Sequence, residues 1–198
     1  MAHRIRYATT RCPLSELLSG TIEPDETYIG GKEKNKHRNK RIEGNRGRST
    51  KSKTPIAILI EREGNVRAKK VNSTDSTTLQ GNIRRDVARS AHIVTDEWPA
   101  YNGLNKDFAG HEMMNHHKSE YVRWLAYTNT AESWISLFKR GIVGAFHHVS
   151  EEHLDRYVNE FAFRWDYRKV IDVKRMVKAI EGAEGKRLVY KETVKKAG

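Results

Sequence analysis

With one cysteine, Cys12, this 198-residue chain can close no internal disulfide and build no cysteine-rich zinc module. His147 and His148 form a pair, but no second pair stands at zinc-site spacing, so no zinc is expected. Long apolar runs are missing too, and none approaches the ~20 residues that cross a bilayer. The stretch HRIRYATTR near the N-terminus is charged and lacks the apolar centre of a secretory signal, so a cytoplasmic protein is expected. No segment repeats, and Gly30-Gly31 stands without the wider glycine pattern of a nucleotide-binding loop. The glycine pair is expected to make a tight turn instead. Acidic residues are outnumbered, 25 against 37 Lys and Arg, and the formal net charge of +12 asks for a polyanionic partner such as DNA, RNA or an acidic membrane surface.

That charge is concentrated. Lys32 to Lys53 holds ten Lys or Arg against Glu33 and Glu43, which is +8 of the +12. Ile42 is its one apolar residue, so the segment cannot pack into a core. It reads either as a solvated linker or as a phosphate-contacting loop in which Lys32, Lys36, Arg38, Lys40, Arg41, Arg46 and Arg48 face nucleic acid.

The remaining length suits one α/β domain with a tail. Ile5, Leu14, Leu17 and Leu18 give a weak helical pattern that Pro13 interrupts. Thr21 to Asp25 is extended, and Tyr28 to Gly31 carries a turn or a second short strand. Pro55 to Ile60 and Asn65 to Asn72 make a hairpin around Gly64. Leu79, Ile83 and Val87 mark a helix over Ser76–Ser90, capped by Thr74 or Ser76. Ala91 to Thr95 is a short buried strand, followed by a helix over Pro99–Leu104 and a strand over Met113–His117. Three helices close the chain: Thr130–Arg140; one capped by Ser150 with the stripe Leu154, Tyr157, Val158, Phe161 and Trp165; and one carrying Val173, Met176, Val177 and Ile180. Trp134 and Trp165 are expected in the core. The sum is mixed α/β, one sheet with helices around it.

Three carboxylates occupy suggestive places: Asp25 at the end of an extended stretch, Asp96 after the apolar strand, and Glu132 on an amphipathic helix. Phosphodiester chemistry needs an activated water or 3′-hydroxyl on one side and a stabilised leaving oxygen on the other. Two divalent cations serve both ends, and Mg²⁺ or Mn²⁺ prefers carboxylate oxygen. Each Asp alone is as readily a solvated strand end. On the helix, Ala131, Trp134, Ile135, Leu137 and Phe138 fall on one arc, and Glu132 and Lys139 lie two turns apart on its shoulder. That placement suits a metal ligand beside a phosphate-binding Lys, or an exposed ion pair. Glu26 and Glu97 each follow an Asp, and alternation turns them away from it.

The segments DETYIGGK (25–32), TDEWPAY (95–101), NHHKSEYV (115–122), TNTAESWISLFKRG (128–141) and HHVSEEHLDRYVNEFAFRW (147–165) together resemble the ISXO-type insertion-sequence transposases of the DDE superfamily. The resemblance implies a ribonuclease H-like mixed sheet flanked by helices, with a helical C-terminal extension. It implies a metal-dependent transposase that cuts insertion-sequence DNA and joins the 3′-hydroxyl to a target, with two Mg²⁺ or Mn²⁺ ions held by Asp25, Asp96 and Glu132. Lys139 and Arg140 would contact DNA. Asn129 is a substitute third ligand, and His116 and His117 are further candidates for binding phosphate or orienting a carboxylate. Double-stranded DNA would be the partner, bound by a homo-oligomer at the bacterial nucleoid, with no membrane involved.

The implied domains are a remnant of a DNA-binding region or linker over 1–20, the catalytic domain over 21–170 with its basic loop 32–53, and a C-terminal helix and basic tail over 171–198. Such transposases resemble one another in an upstream zinc ribbon and helix-turn-helix, and a truncated enzyme is the expectation here. The alternatives are a DNA-binding remnant or regulator without chemistry, and a ribonuclease or resolvase on the same fold.

Overall fold

Pro55 to Ile60 are all buried, which a strand achieves only when both faces of its sheet are covered. In the computed structural model, which describes residues 2–10, 16–31, 37–42, 52–114 and 129–188, this strand is second from the edge of a five-stranded sheet. The elements are α1 (Ala2–Ala8), β1 (Thr21–Ile29), β2 (Thr54–Glu61), β3 (Val66–Lys70), α2 (Ser76–Asp86), β4 (His92–Thr95), β5 (Gly110–Met113), α3 (Asn129–Arg140), α4 (Leu154–Asp166) and α5 (Asp172–Glu181). The order across the sheet is β3-β2-β1-β4-β5. The first three strands pair antiparallel, while β4 joins β1, and β5 joins β4, in parallel. This is the mixed sheet flanked by helices that was expected of a ribonuclease H-like domain, with helices α4 and α5 following it.

Alternation divides the core in two. Ile22, Ala57, Leu59 and Ile93 face α2, where they meet Leu79 and Ile83, and Tyr101 and Leu104 close the same cluster. Ile56, Ile58 and Ile60 face the other way, onto Ala131, Trp134 and Phe138 of α3 and Leu154, Val158 and Phe161 of α4. Trp134 is fully buried and stacks on Phe138 at 5.2 Å between ring centroids. Leu137, placed by periodicity on the same arc, is exposed at the arc's margin.

β1 is paired unequally on its two sides. Its whole length matches β2, from Ile22↔Glu61 to Ile29↔Thr54. Toward β4 the ladder covers only Thr21↔His92 and Ile22↔Ile93. Gly20 accepts from the His92 N–H, so even-numbered residues of this strand present their backbone groups to β4. Pro24 is therefore the next residue due to donate there, and it has no N–H. The two strands are released from each other just before Asp25.

At the outer edge, α4 lies antiparallel along β3. Asp155 Oδ1 accepts from Lys70 N at 2.9 Å, and Asp166 Oδ1 accepts from Val66 N at 2.8 Å. The eleven-residue step between these aspartates is ~16 Å of helix, close to the ~14 Å of strand it spans. Helix α1 docks on the same helix: Arg6 Nε donates to Glu160 Oε2 at 2.6 Å, and its guanidinium lies 4.0 Å above the Tyr157 ring.

Several expectations are corrected. β1 runs unbroken through Tyr28, with no turn at that point. α2 is capped by Asp75, whose side chain accepts from Thr78 N, and stops at Asp86; Val87 instead bridges to Leu18. The helix expected over Pro99–Leu104 is two 3₁₀ turns, Pro99–Tyr101 and Leu104–Lys106, split by Gly103 at φ +93°. Of the strand expected over Met113–His117, residues 115–117 lie outside the described residues; a strand at Gly110–Met113 ends where it was expected to begin. Ser150 makes no side-chain cap, and a 3₁₀ turn at Glu151–His153 precedes α4. In α5 the residues Val173, Met176, Val177 and Ile180 are exposed. No described helix is long and apolar enough to cross a membrane.

Gly30 serves a close approach rather than a turn of positive φ. A Cβ there would stand 2.5 Å from the Ser52 carbonyl and 2.9 Å from Lys53 Cα, where the two ends of the basic loop meet. Gly30→Ala is expected to cost about 1–3 kcal/mol, measured as a lowered midpoint in urea, whereas Gly31→Ala, with open space around its Cβ, should leave the midpoint unchanged.

Candidate active site

Asp25 belongs to the face of β1 that looks toward α3 and α4, since its partner across the ladder is Ile58. The parallel register of β1 and β4 carries an offset of 71 residues, as in Ile22↔Ile93. Carried on by three residues, the same offset sets Asp25 alongside Asp96, just beyond the end of β4. Asp96 is half-buried and accepts from Trp98 N at 3.0 Å, which turns the chain sharply after the strand. Glu132 stands in the first turn of α3, exposed. The three candidate ligands thus come from mid-strand, a strand end and a helix start.

Their proximity shows in Asp25 itself. Its carboxyl is pushed up to about 7, first by burial and then by the negative charges of Glu26, Asp96 and Glu132, against the pull of a 2.7 Å hydrogen bond from Glu26 N. Among the described residues no three His, Cys, Asp or Glu side chains stand close enough to enclose a metal ion. The donor set still fits a hard divalent cation: it offers carboxylate oxygens, and the repulsion focused on Asp25 is of the kind a bound cation relieves. Two cavities of about 440 and 570 Å³ lie elsewhere, one around β3 and α2, the other between α1 and residues 183–188, and neither is lined by these carboxylates.

Neighbouring acids secure the ligands. Glu26 points to the opposite face, where the Tyr101 hydroxyl donates to its Oε2 at 2.9 Å. Burial and then the Glu26 charge raise the Tyr101 hydroxyl well above its ordinary pKa, so it stays a donor. Gln80 Nε2 donates to the carbonyls of Ala100 and Asn102, holding the turn that follows Asp96 against α2. Glu23 was not singled out from the sequence. It is fully buried, accepts from Arg62 Nε at 2.7 Å and accepts from Thr130 N and Ala131 N of α3 at 3.0 Å each. Its signal was available, because a residue two before Asp25 on a strand shares its face.

Of the remaining candidates, Lys139 and Arg140 are exposed in the last turn of α3, and Asn129 is exposed at its first residue. Arg38 and Lys40 begin and end an exposed 3₁₀ turn, with Arg41 after it. Glu97 is exposed. Lys32, Lys36, Arg46, Arg48, His116 and His117 lie outside the described residues, as does Cys12.

A family model described as the ISXO2-like transposase domain matches residues 17–166. No curated protein sequence matches the chain. Among solved structures, a simian T-cell lymphotropic virus intasome in complex with the PP2A regulatory subunit B56 gamma aligns at TM-score 0.45 and 13% identity, over 78% of this chain and 51% of that one. The HTLV-2 integrase catalytic core domain in complex with magnesium aligns at 0.42 and 13%, over 82% and 97%. The Mos1 strand transfer complex aligns at 0.41 and 13%, over 94% and 62%. The chain spans about half the length of the first of these.

Asp25 makes the fold pH-dependent. Its folded pKa, about 7, lies above the ordinary aspartate value of 3.8, so between those limits the native state holds a proton that the unfolded state has lost. Its contribution to stability falls as pH climbs through that window, by ~4 kcal/mol at most. In metal-free protein, Asp25→Asn is expected to melt above the wild type at pH 8 and level with it at pH 4. A variant that melts below the wild type at pH 8 would show that the carboxylate is stabilised instead.

Proposed function

Because the chain belongs to the ISXO2-like transposase domain family, we propose that it is a metal-dependent DNA transposase that cleaves insertion-sequence DNA and joins the freed 3′-hydroxyl to a target strand. The observation that carries this reading is the convergence of charge on Asp25 from Asp96 and Glu132, residues that lie 71 and 107 positions further along the chain.

Asp25, Asp96 and Glu132 would together hold two Mg²⁺ or Mn²⁺ ions. The ions supply an activated water or 3′-hydroxyl and neutralise the leaving oxygen. The chain's own part is placement. Asp25 is held by a backbone hydrogen bond in a sheet strand, and Asp96 by the turn that Trp98 N closes. Asn129 lies one helical turn before Glu132 and would be its substitute as third ligand. Lys139 and Arg140 would hold the phosphate backbone beside the carboxylates, joined by Lys32, Lys36, Arg38, Lys40, Arg41, Arg46 and Arg48 of the loop that leaves β1 four residues after Asp25. Double-stranded DNA supplies the polyanion that a net charge of +12 requires. One carboxylate set per chain and two ends per element argue for a homo-oligomer on DNA, at the bacterial nucleoid.

One observation favours a second reading, a DNA-binding domain without chemistry: no three-residue cation cluster is assembled among the described residues. Calorimetric titration with Mn²⁺ separates the two, since carboxylate-dependent heat is expected only of the enzyme. Asp25→Ala and Asp96→Ala should each reduce Mn²⁺-dependent nicking and strand transfer to background while leaving affinity for duplex DNA within about twofold. Equal activity in purified wild type and Asp96→Ala protein would overturn the two-metal assignment.

A further inference from the structure

The side chain of Glu23 is 0% exposed, and a buried carboxylate costs several kcal/mol unless it is paired and hydrogen-bonded. Here both oxygens are engaged. Oε1 takes Arg62 Nε at 2.7 Å, and Oε2 takes the backbone N–H groups of Thr130 and Ala131 at 3.0 Å each. Those amides are the second and third of α3, among the four at a helix start that have no partner within the helix. A strand residue thus does what a capping side chain does, with its negative charge at the positive end of the helix dipole.

The consequence is geometric. Ala131 precedes Glu132 in the chain, and Glu23 shares a strand face with Asp25, ~7 Å away. One side chain therefore ties the strand holding the first candidate ligand to the helix turn holding the third. Packing cannot do this alone. Ala131, Trp134 and Phe138, all 0% exposed, decide which side of α3 meets the sheet. Such contacts constrain sliding along the helix axis far less than directional bonds do, and a slide of one residue, ~1.5 Å, exceeds the ~0.5 Å tolerance of a functional constellation.

We propose that Glu23 is a positioning residue: its bonds to Thr130 N and Ala131 N, braced by Arg62, set the axial position of α3 and so the reach of Glu132 toward Asp25. This rests on the metal-site reading above. It assigns Glu23 no contact with substrate or ion, and it makes metal affinity depend on a residue that holds no metal.

Two double variants isolate the effect, because each removes both buried charges together. Glu23→Gln/Arg62→Met keeps a carbonyl oxygen to accept from the two amides. Glu23→Leu/Arg62→Met keeps the bulk and removes the acceptor. In metal-free protein, the Thr130 and Ala131 amides should stay protected from hydrogen exchange in the glutamine pair and exchange freely in the leucine pair. Calorimetric Mn²⁺ affinity should stay within about threefold of wild type in the glutamine pair and fall about tenfold or more in the leucine pair, with duplex DNA affinity equal in both. Equal Mn²⁺ affinity in the two folded variants would overturn the proposal. If the leucine pair does not fold, Glu23→Asp, which keeps the charge but withdraws it by one methylene, gives the deciding measurement: weakened Mn²⁺ binding upholds the proposal and wild-type binding overturns it. Wild type and Asp25→Asn run alongside as controls. No carboxylate-dependent heat in the wild type would overturn the metal-site reading itself, and the inference with it.

Discussion

The unequal pairing of β1 is the constraint from which the rest of the site follows. Bonded to β2 along its full length, the strand is rigid. Its ladder with β4 ends at Ile22, because Pro24 has no N–H to carry it on, so the strand passes Asp25 bonded on one side alone. Ligands of open α/β sheets bind outside the carboxyl ends of parallel strands, where neighbours part. In this sheet a missing N–H in mid-strand does the parting. The bonded side of the strand fixes the position of Asp25.

Two carboxylates of this strand, two residues apart on one face, meet opposite fates. Glu23 is more deeply buried, yet each of its oxygens has a donor, so burial there is compensated and the residue works as a structural bolt. Asp25 is less enclosed, yet burial first, and then the charges of Glu26, Asp96 and Glu132, raise its proton affinity. The difference is the sign of what each faces. Positive charge and helix amides tie a carboxylate into the fold, while burial beside negative charge favours a carboxyl that keeps its proton. A third acid, Glu26, goes through the sheet to Tyr101 and steadies the turn after Asp96 from behind.

Much of this was legible before any coordinates. The long amphipathic stripes of α3 and α4 were plain in their spacing, and so were the extended stretch that leads to Asp25 and the apolar strand that leads to Asp96. What escaped has physical reasons. β5 is a polar edge strand, GHEM, with half-exposed residues and no apolar alternation to betray it. The helix expected over Pro99–Leu104 does not form, because Gly103 in a left-handed conformation separates two tight turns. The apolar rhythm of α5 reads as a core face and is exposed among the described residues. Glu23 was overlooked because a charged residue ahead of a candidate ligand looks like solvent-facing filler. Its partners sit 39 and more than 100 residues away, and only the folded chain brings them together.

The helix lying along β3 bears on how such chains meet one another. A sheet's outermost strand is an open template, and any extended segment can hydrogen-bond to it and lengthen the sheet. Here the first and last outward N–H groups of the outer strand are already taken by Asp166 and Asp155 of α4, so a sixth strand could not pair along its whole length. Growth of the sheet by recruiting a neighbour is closed on this side. Copies brought to high local concentration on a shared polyanion would have to associate through other surfaces, and so could crowd together without running on into fibres.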